Sequence, residues 1–331
     1  MKNRRTFICA LGVGLLAKAQ RVTGQTVERV YRLGILHAGS VVASDPVLLG
    51  NSIPQLLREV GYVEGRNLIV VRKYAEGNFD RLPGFALELV ELRVDVILAV
   101  GTLSTQAAKT ATETVPVVML VNVDPVALGV VKSLARPGGN ITGVVIAPDG
   151  TLAGKKLELL KEAVPRARRI ALLIPEDPGT GAQQQIQEIL RAASSLGVEL
   201  PVVAVRAGEY DRAFTAVGAG RPQALFVGAH SFFVRDQKKI IELAAKYQLP
   251  AIYEWPQQVK NGGLMSYGAS EAEVYGQAVA YIDRLFKGVK PADLPIWQPS
   301  KLHLVINLKT AKALGLTIPP SLLARADEVI Q

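Results

Sequence analysis

The sequence predicts an α/β protein of two lobes, each built on a parallel β-sheet with helices on both faces. Three observations predict it. Short apolar runs such as Val96–Val100 and Ala224–Val227 alternate with stretches of helical periodicity along most of the chain. Those runs are apolar throughout, as strands covered on both faces are. The alternation also occurs twice, with the strong turn Arg136-Pro137-Gly138-Gly139-Asn140 between the two series. A length of 331 residues accommodates two domains, and 49% apolar against 20% charged residues is the composition of a folded chain.

The first nineteen residues differ from the rest. Lys2, Arg4 and Arg5 precede the uncharged run Phe7–Ala17, and Ala17-Lys18-Ala19 follows the small-residue cleavage pattern. This predicts a secretory signal peptide over 1–19 and a periplasmic protein. The run is shorter than the ~20 residues that span a bilayer. Arg4-Arg5-Thr6-Phe7-Ile8 fits export by either the Sec or the twin-arginine route. The single cysteine, Cys9, lies inside this segment, so the mature chain would have no disulfide, thiol nucleophile or thiolate-bound metal. Cleavage removes four of the 38 basic residues, leaving 34 against 29 acidic and a net charge of +5. Those charges are interspersed, the pattern of a solvated surface and not of a nucleic-acid patch.

After a polar lead-in at 20–29, Val30–Leu36 reads as a strand. Pro46–Val60 has the apolar spacing of a helix, which Gly61 stops. Asn67–Tyr74 is a strand and Arg81–Leu92 a helix. Val96–Val100 and Val115–Val121 are strands on either side of a helix at Ser104–Thr112. Val126–Leu134 reads as helical, and Ile141–Val145 as the last strand of the series. The second series runs helix Leu152–Val164, strand Arg169–Ile174, helix Gly181–Leu196, strand Val198–Val205, helix Tyr210–Val217 and strand Ala224–Val227. Helix Val234–Tyr247 and the short strands Pro250–Tyr253 and Gly263–Met265 complete it. The tail reads as helix Glu271–Phe286, a proline-rich linker at Pro291–Pro299, strand Leu302–Leu308, and helices at Lys309–Leu314 and Pro320–Ile330.

Several stretches resemble one family. They are Gly61-Tyr62-Val63-Glu64-Gly65, Tyr74-Ala75-Glu76-Gly77 with Asp80-Arg81-Leu82-Pro83, and Ser133–Thr142. Further along come Gly262–Gly268, Lys290–Pro295 and Leu304–Ile318. Together they resemble the ABC transporter substrate-binding proteins of the type I periplasmic-binding fold, in the branch that includes tryptophan-uptake binding proteins. The resemblance implies two Rossmann-like lobes with parallel sheets joined by a hinge, with a small-molecule solute trapped between them. It implies lobe 1 over 28–145 plus 267–298 and lobe 2 over 146–266 plus 299–331, with helix 271–286 returning to the first lobe. It also implies a monomer that presents its solute, an amino acid or related carboxylate, to the membrane subunits of an ABC permease.

In open parallel sheets the ligand crevice lies at the carboxyl ends of the strands. Gly39 and Ser40, Gly101 and Thr102, and Asn122 and Asp124 follow three strand ends of the first lobe. Gly101-Thr102 ahead of a helix can offer amides and a hydroxyl to a carboxylate; the bland alternative is that Thr102 or Ser104 caps the helix. Asp124 can hold an ammonium group, or simply form an Asp-Pro turn. In the second lobe the resemblance points to Asp177, Phe232, Tyr253, Glu254 and Tyr267. Phe232 would enclose an apolar ligand, with Phe233 facing the other way if both lie on a strand. Glu254 would pair with a cationic group. Family members often carry Asn-Pro-x-Asn-Pro where this chain has Pro175-Glu176-Asp177-Pro178, so a ligand bearing only a carboxylate is less welcome there.

The sequence argues against catalysis and calls for no cofactor. His37, His230 and His303 stand far apart, although the first two follow strand ends and could face one another. No zinc signature, nucleophile elbow, dinucleotide fingerprint or phosphate loop is present. Three rivals differ in class: a sensory module for a signalling partner, a Rossmann-like enzyme lacking its fingerprint, and a transcriptional regulator. The last would need a helix-turn-helix ahead of residue 30, where the signal peptide stands.

Overall fold

The computed structural model describes residues 29–39, 49–146, 151–176 and 179–331. The signal segment 1–19, Ser40 and Asp177 lie outside them.

The first series gives β1 (Tyr31–His37), α1 (Leu49–Glu59), β2 (Leu68–Tyr74), α2 (Leu82–Glu91), β3 (Val96–Val100), α3 (Thr102–Ala111), β4 (Val117–Val121) and β5 (Ile141–Val145). Its five strands form one parallel sheet in the order β2-β1-β3-β4-β5. Strand residues alternate between two cores. Val96, Leu98 and Val100 enter one, while Ile97 and Ala99 enter the other with Ala86 and Leu89 of α2. Gly143 belongs where it is because β5 lies tight against β4. A Cβ there, at φ +144°, would stand 2.2 Å from the Met119 carbonyl oxygen.

The second series gives α4 (Thr151–Ala163), β6 (Ile170–Pro175), α5 (Gly179–Ser195), β7 (Val202–Val205), α6 (Tyr210–Ala219), β8 (Ala224–Val227), α7 (Ser231–Arg235), α8 (Gln237–Lys246), β9 (Ala251–Tyr253), α9 (Pro256–Lys260) and β10 (Met265–Gly268). The tail adds α10 (Glu271–Phe286), β11 (His303–Asn307), α11 (Leu308–Ala313), α12 (Pro320–Leu323) and β12 (Glu328–Ile330). The second sheet runs β12-β11-β10-β9-β8-β6-β7. It is parallel except where β11 meets β10, because the chain returns from α10 in the opposite sense.

The chain passes between the sheets three times: from β5 to β6, from β10 to α10, and from α10 to β11. Helix α10 packs on the first sheet, with Val274, Ala278 and Ile282 sharing a core with Leu33 and Ile35. The third passage pairs briefly with β5. The Trp297 N–H donates to the Gly143 carbonyl at 2.9 Å, and the Val145 N–H donates to Trp297 at 2.9 Å.

Four local readings are corrected. Val126–Leu134 forms turns, not a helix, because Gly129 takes φ +67° and Asp124 organises the chain locally. Val234–Tyr247 is divided, with α7 ending at Arg235 before α8 starts at Gln237. Pro320–Ile330 yields only the single turn of α12, and its end pairs with β11 as β12. Phe232 and Phe233 lie on α7, not on a strand.

Candidate ligand-binding site

In the first lobe, three strand ends meet at the carboxyl edge. His37 closes β1, and its Nδ1 accepts the Gly39 N–H at 2.7 Å. Burial pushes its pKa down to about 4, so the imidazole is neutral at pH 7. Gly39 is buried, and its carbonyl accepts the Glu76 N–H at 3.1 Å, tying this loop to the one after β2.

Gly101 closes β3 at φ +90°, a region that disfavours residues with a Cβ. No other atom lies within 4 Å of a Cβ built there, so conformation alone demands the glycine. Helix α3 begins at once, two residues ahead of the sequence-based start. Its cap is Gly101, and no side chain caps it. The Thr105 N–H bonds back to the Gly101 carbonyl at 3.0 Å, and the Thr105 hydroxyl donates to the same oxygen at 2.9 Å. Neither Thr102 nor Ser104 fills the capping role. The leading amides of a helix carry positive partial charge and need an acceptor. Thr102 stands half-buried at this end, and Ser104 is buried with its hydroxyl unpartnered.

Asp124 forms the turn that its sequence allows. Its Oδ1 accepts the Val126 N–H at 2.8 Å, and its carbonyl accepts the Leu128 N–H at 3.1 Å. Asn122 and Asp124 are both half-buried beyond β4.

The second lobe departs further from the sequence reading. Phe232 and Phe233 both enter the core beside α6 and α8, with ring centroids 4.7 Å apart. On a helix, adjacent side chains can reach one core, which a strand would forbid. Tyr253 is also core: it is 1% exposed and borders a small pocket with Ile241, Gly263 and Leu314. Burial raises its phenol pKa. Tyr267 is half-buried against the core on the other face of the sheet. His230 caps α7, its Nδ1 accepting the Phe232 N–H at 3.4 Å. Both histidines at strand ends are thus held by a backbone amide two residues on. Glu176 is exposed and paired with Arg206.

Glu254 is the charged residue at the carboxyl end of β9, and it is buried. One of its oxygens accepts from Lys156 Nζ of α4, itself buried. Gln258 Oε1 accepts the N–H groups of Glu254 and Trp255 at 3.1 and 3.0 Å, fixing the loop that carries both. Trp255 packs towards Tyr275 of α10, ring centroids 6.4 Å apart, within the core cluster of the first sheet. The sequence reading omitted Lys156 and Trp255. Lys156 had a readable signal: it falls in the stripe Leu152, Lys156, Leu159, Ala163 at the spacing of one helical face. Among the described residues no cluster of His, Cys, Asp and Glu is arranged to hold a metal ion.

Comparison with known proteins agrees with this architecture. The sequence profile of the ABC transporter substrate binding proteins matches residues 48–330. The chain belongs to that family. A tyrosine-binding protein of Clostridioides difficile (strain R20291) is 26% identical over 261 residues, covering 78% of this chain and 74% of the relative. The crystal structure of an ABC domain from Streptococcus pneumonia in complex with L-Trp is 27% identical, with TM-score 0.76 over 91% of this chain and all of the other. A conserved domain protein of Vibrio cholerae O1 biovar eltor is 26% identical with TM-score 0.78 over the same shares. The fold is the two-lobed type I periplasmic-binding arrangement.

Proposed function

We propose that the chain is the exported solute-binding component of an ABC uptake transporter, closing its two lobes over an amino acid or related carboxylate. The observation that carries the reading is the uncapped start of α3. Gly101 gives the helix no side-chain acceptor, so its leading amides and the Thr102 hydroxyl suit a carboxylate. Relatives that bind tyrosine and L-Trp support an aromatic amino acid as the solute. Gly39, Ser40, Asn122 and Asp124 would complete the first wall; Glu254, with Asp177, Phe232, Tyr253 and Tyr267 around it, would belong to the second. Phe232 and Tyr253 would act by shaping the core behind that wall, since both rings are buried.

The lobes would divide as 28–145 plus 267–298 and 146–266 plus 299–331, and no cofactor or covalent step is required. A solute touching both walls favours the closed state by its differential affinity. The protein would act as a monomer, deliver solute to permease subunits, and begin at Gln20 after export. A thermal-shift screen against amino acids, aromatic acids and small carboxylates tests the reading. A ligand at about 100 times its Kd adds about 2.7 kcal/mol of stability, and X-ray scattering should show compaction with it. A flat screen across all three classes would sink the proposal.

A further inference from the structure

Lys156 and Glu254 are an unusual pair to bury. An ammonium in an apolar helix face is unstable without a counter-ion. Lys156 has one, donating from Nζ to Glu254 Oε2, and the two side chains keep only 3% and 8% of their exposure. Nζ also stands 5.2 Å from the Phe226 ring centroid. The other carboxylate oxygen, Glu254 Oε1, takes no hydrogen bond from any described residue. Glu254 directly follows β9, which lies between β8 and β10 at the middle of the second sheet. That carboxyl edge is where open parallel sheets meet their ligands.

We infer that Glu254 Oε1 receives the ammonium group of the solute, with Lys156 as the positioning residue that occupies Oε2 and keeps the carboxylate oriented. The inference rests on the amino-acid reading of the cleft and sharpens it: the pair selects α-amino acids over amine-free carboxylates of the same shape. An ammonium donates a charge-assisted hydrogen bond to Oε1. A ligand without it buries Oε1 unpaired, and a site built to bond an N–H rejects the analogue lacking it by large factors.

The test is calorimetry on the full mature chain with two matched pairs of probes. These are L-tryptophan against indole-3-propionate, and L-tyrosine against 3-(4-hydroxyphenyl)propionate. The wild-type protein should prefer the amino acid by at least about 100-fold. Glu254→Gln keeps an oxygen for Lys156 while removing the charge, and should lower that preference at least about tenfold. The neutral double variant Lys156→Met with Glu254→Gln should lower it as far, and serves if the single variant fails to fold. Lys156→Met alone should lower the same ratio; equal loss for both probes would reduce Lys156 to a structural role and overturn its part. An unchanged preference in both Glu254 variants overturns the inference while the amino-acid reading stands. A wild-type protein that binds none of the four probes and no other amino acid in the thermal-shift screen overturns that reading and this inference together.

Discussion

At the carboxyl ends of its strands the first lobe presents backbone: a left-handed glycine, the bare start of α3, and a turn closed by Asp124. The second lobe presents side chains there, the Lys156–Glu254 pair and Trp255, each held by a neighbour. Under the proposed function the difference separates two tasks. Backbone amides recognise what every amino acid shares, and they are fixed by chain conformation. Side chains discriminate, and they depend on packing that must offset the burial of charge.

Mutations should therefore hurt the two walls in different ways. Lys156→Met strands a buried carboxylate and should cost about 3–5 kcal/mol in urea unfolding, with the neutral double variant recovering part of it. A cost within error of zero would show that the pair is not buried as described. His37 tests the first lobe. Its folded pKa of about 4 lies below the unfolded 6.5. The stability it confers is complete above pH 6.5 and lost as pH falls towards 4, amounting to about 3 kcal/mol. Unfolding at pH 7 and pH 4.5 should show a smaller acid loss in His37→Gln than in the wild-type chain. Equal losses would place the titration elsewhere.

Gly101→Ala should cost about 1–3 kcal/mol by backbone strain alone, since its new methyl meets no atom. If stability holds while ligand affinity drops, the loop has moved and the strain has been relieved at the site's expense. The smallest effect is reserved for Thr102→Ala combined with Asp124→Ala. Ligand affinity should fall about tenfold, or about 1.4 kcal/mol, with the fold intact by circular dichroism. Unchanged affinity would remove both side chains from the site and leave the amides of α3 as the anchor.

The same contrast governs what the sequence disclosed. Central strands such as β3 and β4 were legible because they are apolar throughout and buried on both faces. The glycine that closes β3 was legible because Gly-Thr after an apolar run is a local signal, although the helix starts at Thr102 and not at Ser104. The surroundings of the second-lobe residues were not. Whether Phe232 lies on a strand or a helix turned on α7, five residues long, too short to show a period. Strand β12 was hidden because its partner β11 lies over twenty residues away in sequence. Lys156 is one of many lysines by composition, and only its place in an apolar stripe marks it. Its partner Glu254 is 98 residues away, and spacing carries no such information.

Helix α10 belongs to the first sheet by packing but follows β10 in the chain. Tyr62 donates to Asp283 Oδ1 at 2.8 Å across 221 residues of sequence. During synthesis the strands β1–β5 leave the ribosome with one apolar face covered only in part, by Ile53 and Leu57 of α1, and the rest of that face stays open until residue 286 has followed. At 5–20 residues per second the interval from residue 145 to residue 286 lasts roughly 7–28 s. The amino-terminal lobe is thus the first to be started but is completed only after most of the second lobe has been made, and the nascent chain carries a partly covered half-sheet through over a third of its own translation.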